Sequence, residues 1–338
     1  MTDVTVDDPL RDQLVARIGL PMNATGPALA PDPVNVPMIR HWVDAFEDRN
    51  PVYLDDDAAR AAGFDGLVAP PAMLQTWTMA RPRIEGIRER GGSPDDIDLT
   101  SPLARLATEG YTATLATNSE LEFVRYLRPG DELQATGTLA EVSDLKATGV
   151  GVGYFITMVN TYSVGDEVVG RQRWRIFKFD PSRTAADLPP RPPRTASSAS
   201  DTPGVEKTPG PELPPFDLEV TATVVVAGAI ASRDFMPVHH DRDYAQAQGA
   251  PDLFMNILTT TGYVTRYVTD WAGPRAVVRR LAIRLGGPAV PDLPLHFTGA
   301  VSDQRDVEGH RAVEVTLRAA NDLGDHATGT VELTLPSD

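Results

Sequence analysis

The sequence predicts an α+β protein that writes one structural plan twice, and three observations carry that expectation. First, "DRNPVYLD" at 48–55 and "DFMPVHHD" at 234–241 both read Asp-x-x-Pro-Val-(aromatic)-x-Asp. Second, each phrase is followed by an Ala-rich, helix-like stretch ending in Gly, "DDDAARAAGFDG" and "DRDYAQAQGAPD". Third, each half closes on Gly-Asp-x-x-x-Gly, "GDEVVG" and "GDHATG", followed by an alternating run, "RQRWRIFKF" or "TVELTL". Gly-Asp between period-two segments is a hairpin signal, so both halves end in antiparallel strands. The phrase recurs after 186 residues and the Gly-Asp after 159, so the first copy holds about 27 more residues, mostly between 80 and 118.

Taken in order, the chain opens with an N-terminal segment (1–30) and a first folded half (31–180). Within that half "AMLQTWTM" (72–79) reads as a short helix, stopped by Arg81-Pro82 because proline cannot donate within a helix and constrains the residue before it. Residues 181–215, rich in Pro, Ser and Thr with almost no large apolar side chains, cannot bury enough surface to offset their ordering entropy and read as a linker. In the second half (216–338) the stretch 251–273 carries Leu253, Ile257, Leu258, Val264, Tyr267 and Val268 at helical spacing. It reads as one mostly buried helix ended near Gly273-Pro274. The runs "AVVRRLAIRL", "PLHFTGAVSD", "RAVEVTLRAA" and "HATGTVELTL" follow as four strands. One buried helix covered by four antiparallel strands is a two-layer plan.

Composition narrows the function. The chain has 338 residues, 41% of them hydrophobic, enough for two ordinary cores. A net charge of −16 argues against nucleic-acid binding, which needs a basic face. The basic clusters at 171–179 and 277–287 read as alternating strand residues facing water. No apolar run is long enough to span a membrane, and the acidic "MTDVTVDDPLRDQ" start lacks the features of a secretory signal, so a cytoplasmic location is expected. With no cysteine, disulfides and thiolate zinc sites are ruled out.

The order of Asp-x4-His phrase, helix and antiparallel strands resembles the MaoC-like (R-specific) enoyl-CoA hydratases, which have the hot-dog fold. "RDFMPVHHDRDYAQAQG" with "DLFMNILTTTGYVTRYVTDWAGP" is similar to the small catalytic subunit of the two-subunit hydratases of bacterial cholesterol side-chain degradation. The first half, through "WVDAFEDRNPVYLDDDAARAAGFDGLVAPPAMLQTWTM", "ATNSELEFVRYLRPGDE" and "WRIFKF", resembles their larger, non-catalytic subunit. The resemblance implies a double hot-dog, in which an antiparallel sheet wraps a central helix in each half, as a fusion of the two subunits. It departs from the family where the larger subunit continues into a zinc-ribbon and OB-fold module that recruits an aldolase. Here the chain passes from linker to catalytic half, which puts coupling to a downstream aldolase in doubt.

By the same resemblance Asp234 and His239 are the catalytic pair, the backbone N–H of Asn256 serves the developing oxyanion, and the substrate is a steroid side-chain enoyl-CoA carrying a three-carbon side chain on ring D. Coenzyme A enters as part of the substrate, no metal or redox cofactor is implied, and the partner is a second copy of the chain in a homodimer. From the residues themselves, histidine titrates near neutrality and a carboxylate can act as its acid–base partner. His240 is read as structural or as a substrate contact. Tyr53 replaces the histidine in the first copy. A phenol with an ordinary pKa of about 10 cannot act as a base at neutral pH, so that copy keeps the fold and loses the chemistry. Pro70, Met73, Trp77 and the 80–118 insertion are expected to line a pocket for a fused-ring acyl group, with Met73 and Trp77 equally readable as core. Two other functions fit the same sequence: a hydratase or dehydratase of linear fatty-acyl or polyketide thioesters, and a non-catalytic acyl-CoA-binding scaffold.

Overall fold

The duplication is visible in the elements themselves. The computed structural model describes residues 8–23, 26–90, 92, 101–187, 210–307 and 309–336. The core of the expected linker (188–209) and part of the 80–118 insertion (91 and 93–100) lie outside the described residues. The helices are α1 (Pro9–Val15), α2 (Val36–Phe46), α3 (Asp56–Ala61), α4 (Pro102–Thr108), α5 (Ala222–Ala231), α6 (Arg242–Ala247) and α7 (Ile257–Ala272). The strands of the first half are β1 (Ala28–Leu29), β2 (Ala113–Phe123), β3 (Leu133–Val142), β4 (Lys146–Thr148), β5 (Gly151–Val164) and β6 (Glu167–Asp180). Those of the second are β7 (Phe216–Leu218), β8 (Val277–Leu285), β9 (Leu295–Val307), β10 (His310–Asn321) and β11 (Gly324–Pro336).

Helix α2 begins 186 residues before α5, the 3₁₀ turn Pro51–Tyr53 the same distance before Pro237–His239, and α3 the same distance before α6. The caps repeat too. The final Asp of each phrase, Asp55 or Asp241, starts the following helix by accepting the N–H of the residue three positions on, at 2.7 and 2.9 Å.

The strands form one antiparallel sheet in the order β1-β3-β5-β6-β2-β8-β11-β10-β9-β7, with β4 paired to β5. The halves meet edge to edge where β2 pairs β8, from Asn118 opposite Arg284 to Glu122 opposite Arg280. Each half is thus a sheet curled over a buried central segment, and the chain is a double hot-dog. One continuous core of both halves lies under the sheet, while a second, smaller core packs α1 and α4 against β3, β5 and β6 through Leu14, Leu106 and Ile156.

In the second half the central segment is α7, which follows the expected helix but starts at Ile257; 251–256 lead into it as loop. Five of its threonines are buried, and four return their hydroxyls to the carbonyl one turn back, as Thr261 does to Ile257 O and Thr265 to Thr261 O, both at 2.8 Å. That local bonding lets a threonine-rich helix sit in a core. Gly273, with φ of 83°, caps its end.

In the first half the corresponding segment differs from the expected short helix. It forms two 3₁₀ turns, Pro71–Met73 and Thr76–Thr78. Pro70-Pro71 gives no side-chain cap, and Pro82 lies too close for regular turns to build.

Helix α7 is gripped from both sides at glycines. A Cβ on Gly262 would lie 2.3 Å from Phe46 of α2, and one on Gly228 of α5 would lie 2.5 Å from Thr259. Residues 210–215, the end of the expected linker, run against β9, with Leu213 N donating to Gly299 O at 2.8 Å.

Candidate active site

Asp234 and His239 come together at the mouth of α7. Arg233, one of three described non-glycine residues with positive φ (59°), turns the chain sharply after α5. Asp234 then stands at the start of the phrase, with its Oδ1 accepting the N–H of Met236 at 3.2 Å. Met236 is extended, as the residue before a proline must be, and Pro237 opens the 3₁₀ turn that ends on His239. The turn brings His239 Nε2 to 3.5 Å from Asp234 Oδ2, both side chains being nearly buried.

The imidazole tautomer follows from its other nitrogen. His239 Nδ1 lies 2.7 Å from the carbonyl oxygen of Phe254, which can only accept, so Nδ1 carries the proton. In the neutral ring Nε2 is then the lone pair, on the side of Asp234. The ring of Phe254 also meets the imidazole edge-on at 5.0 Å.

Asn256, singled out for its backbone N–H, does more than hold that position. It is the N-cap of α7: Oδ1 accepts the N–H of Thr259 at 2.7 Å. Its Nδ2 donates to Asp234 Oδ2 and to the buried Ser232 Oγ, each at 3.0 Å. One side chain therefore fixes both the helix start and the carboxylate. In both phrases the backbone N–H two residues on, of Asn50 or Met236, donates to the first Asp, and in the second phrase the Asn256 side chain adds a donor from α7. The first-turn N–H groups of Ile257 and Leu258 have no intrahelical acceptor and lie on the cavity wall with Asn256. An oxyanion placed there would also meet the positive end of the α7 dipole.

The cavity, about 220 Å³, is walled by Asp234, His239 and Asn256 on the catalytic side. The first half supplies the facing wall, from Gln75, Met79 and Pro82 to Thr114, Ala116 and Trp174. Of the residues expected to line a substrate pocket, Pro70, Met73 and Trp77 are buried and do not reach this wall; Met73 and Trp77 pack in the main core. The wall is made instead by Gln75 and Met79, two positions along from each. His240 also stays off the wall, its Nε2 lying 3.1 Å from Phe235 O. The insertion does reach the site. Gly92 packs so tightly on Met236 that a Cβ would lie 2.6 Å from its Cα, and Arg88 pairs with Asp241 at 2.8 Å.

In the first copy's phrase Asp48, Asn50 and Tyr53 are all buried. Asp48 accepts the N–H of Asn50 at 3.0 Å, and Asn50 caps the turn through Val52 N at 3.3 Å. Burial raises the Asp48 carboxyl to about 6 and pushes the Tyr53 phenol well above its ordinary range. Arg266 and Asp270, at the far end of α7, face this pair.

Residues 27–172 match the family described as the FAS1-like dehydratase domain region, and residues 207–322 match the MaoC-like domain. The first half is 45% identical over 181 residues to the alpha subunit of the 3-oxo-4,17-pregnadiene-20-carboxyl-CoA hydratase of Mycobacterium tuberculosis, covering 52% of this chain and 56% of that subunit. The second half is 49% identical over 126 residues to the beta subunit of the same enzyme, covering 37% of this chain and 95% of that subunit. A probable enoyl-CoA hydratase alpha subunit of Thermomonospora curvata is 47% identical over 161 residues, or 47% of this chain and 49% of that one. The chain spans about half the length of the alpha subunits it matches. Among solved structures, a MaoC-like dehydratase superposes with a TM-score of 0.69 at 21% identity, covering 96% of this chain and 100% of the other. A conserved protein of Mycobacterium tuberculosis with a double hot-dog fold gives 0.57 at 15%, covering 91% and 94%.

Proposed function

Because the chain belongs to the MaoC-like hydratase family, we propose that it is an enoyl-CoA hydratase whose single catalytic centre is the Asp234–His239 pair of the second half. The observation that carries this reading is the geometry at α7: a carboxyl oxygen of Asp234 and the Nε2 of His239 3.5 Å apart, beside the first turn of the helix, on a cavity wall.

A water donating to Asp234 Oδ2 and His239 Nε2 is held by two acceptors at once. One of them takes a water proton as the oxygen bonds to the β-carbon, and the electrons of the double bond move onto the thioester oxygen. The first-turn N–H groups, with that of Asn256, stabilise this oxyanion. The electrons then return, and the pair delivers the proton to the α-carbon, so one water is added in all. The proposed step draws only on the chain's own groups, with coenzyme A as part of the substrate.

The substrate we infer is a steroid side-chain enoyl-CoA of the kind that the relatives' names carry, with a ring ketone and a short unsaturated side chain on ring D. The identities in both halves support it, and so does the first half's central segment, whose two 3₁₀ turns occupy less of the interior than a helix like α7. A linear acyl thioester is the second reading. The cavity of about 220 Å³ favours it, being smaller than the roughly 300–1,000 Å³ of sites for larger ligands. Four fused rings would require the wall at 79–92 to move outward. In keeping with the two-subunit relatives and with hot-dog proteins generally, the working unit is proposed to be a homodimer.

Mass spectrometry of products from the steroid enoyl-CoA, a long linear enoyl-CoA and crotonyl-CoA tests this. Gain of one water on the steroid thioester supports the first reading. Gain on the linear thioesters alone replaces the substrate and keeps the activity, and gain on none overturns the hydratase reading in favour of an acyl-CoA-binding scaffold.

A further inference from the structure

The cavity wall contributed by the non-catalytic half carries hydrogen-bond donors, one of them buried with no acceptor among the described residues. Trp174, on β6, lines the cavity, and its indole Nε1 is buried without an acceptor among the described residues. A buried N–H without a partner is costly, so its persistence calls for an explanation.

Gln75 lines the cavity beside it and is oriented by a polar network behind. Gln172, 1% exposed, receives Tyr162 Oη at 2.9 Å and Asn160 Nδ2 at 3.1 Å on its Oε1. Its Nε2 donates to Gln75 Oε1 at 2.8 Å and to Ser119 Oγ at 3.2 Å. Gln75 Oε1 is therefore committed as an acceptor, and the donors of its amide are those on Nε2. Gln172 and Trp174 are two positions apart on one face of β6, on the order of 7 Å. Gln75, bonded to Gln172, and Trp174 both line the cavity from the half opposite the catalytic pair.

We propose that Trp174 and Gln75 are specificity residues that hold a carbonyl oxygen of the acyl group remote from the thioester, which in the steroid is the ring ketone. This rests on the hydratase reading and refines its substrate. A hydrocarbon acyl chain would leave both donors unpaired, whereas a ketone oxygen has two lone pairs to accept them. Neither residue touches the reacting carbons; both select what enters.

The test compares kcat/KM for the steroid enoyl-CoA carrying the ring ketone with that for the same compound lacking it. Wild type is expected to favour the ketone substrate roughly 10-fold or more, the usual consequence of leaving a buried polar group unpaired. Trp174→Phe, which deletes the N–H and keeps an aromatic ring, is expected to erase most of that preference through KM. The deoxo compound, which has no oxygen to pair with the indole N–H, should lose several-fold less kcat/KM than the ketone substrate does. Gln75→Met provides a second variant that preserves volume, in case the first folds poorly. Equal kcat/KM for the two compounds in wild type, or an equal loss on both in the variants, overturns the proposal while the hydratase reading stands. Failure of wild type to hydrate either compound overturns the proposal together with the steroid substrate, and hydration of a linear enoyl-CoA in the same assay shows whether the hydratase reading stands.

Discussion

Replacing Asp48 by Asn should stabilise the protein at neutral pH without reducing its activity. Asp48 is 5% exposed, and burial is the main cause that lifts its carboxyl from the ordinary 3.8 to about 6; repulsion by Asp270 adds to this, while the Asn50 N–H and Arg266 oppose it. Because the folded pKa lies above the unfolded one, the folded chain holds the proton to higher pH. Stability therefore falls as pH rises from about 4 to about 6 and stays at its reduced level above that. A shift of about two units at 1.36 kcal/mol each places the cost of the ionised form near 3 kcal/mol.

Asn carries no charge to desolvate and keeps an oxygen for the N–H of Asn50, so most of that cost should be recovered at neutral pH. The gain corresponds to a rise in Tm on the order of 5 °C. Urea unfolding at about pH 7.5 and about pH 4 measures it: the variant should be more stable at the higher pH and level with wild type at the lower one. Hydration of the preferred thioester should be unchanged at both. A variant that is no more stable near pH 7.5, or one that loses turnover, would refute the reasoning that the first copy's phrase is a structural relic.

Two further outcomes follow from the contacts of α7. Asn256→Ala should cost about 1 kcal/mol of stability through the lost N-cap. It should also lower kcat by roughly 10- to 100-fold, because Asp234 loses the amide that positions it; steady-state kinetics beside a denaturation curve separates the two effects. Gly262→Ala should destabilise by about 1–3 kcal/mol, because its Cβ would lie 2.3 Å from Phe46, and urea unfolding reads the loss directly.

Much of this architecture is legible in the residues. The duplicated phrase marks the turns, the Ala-rich stretches the short helices, and Gly-Asp the hairpins, because each is local chemistry with a fixed backbone consequence. Helix α7 is legible from its apolar spacing although threonine and valine are poor helix formers, since burial outweighs propensity. Its start is harder to place, because the cap at Asn256 depends on a side chain whose other partners are distant in sequence. The pocket wall was the least legible part. Met73 and Trp77 have helical spacing, but proline at both ends of the segment gives 3₁₀ turns, which rotate Gln75 and Met79 onto the wall instead. The orientation of Gln75 depends on a network spanning Ser119, Asn160, Tyr162 and Gln172, and no short motif spells a contact between three strands and a turn.

The central claim is that one site works and the other does not, and side-by-side kinetics of Asp234→Asn, His239→Gln and Tyr53→Phe on the preferred enoyl-CoA test it most directly. The account predicts that the first two lose on the order of 10³-fold or more in kcat, as expected when an acid–base group is removed, while the third turns over as wild type. Full activity in Asp234→Asn or His239→Gln, or its collapse in Tyr53→Phe, would contradict it.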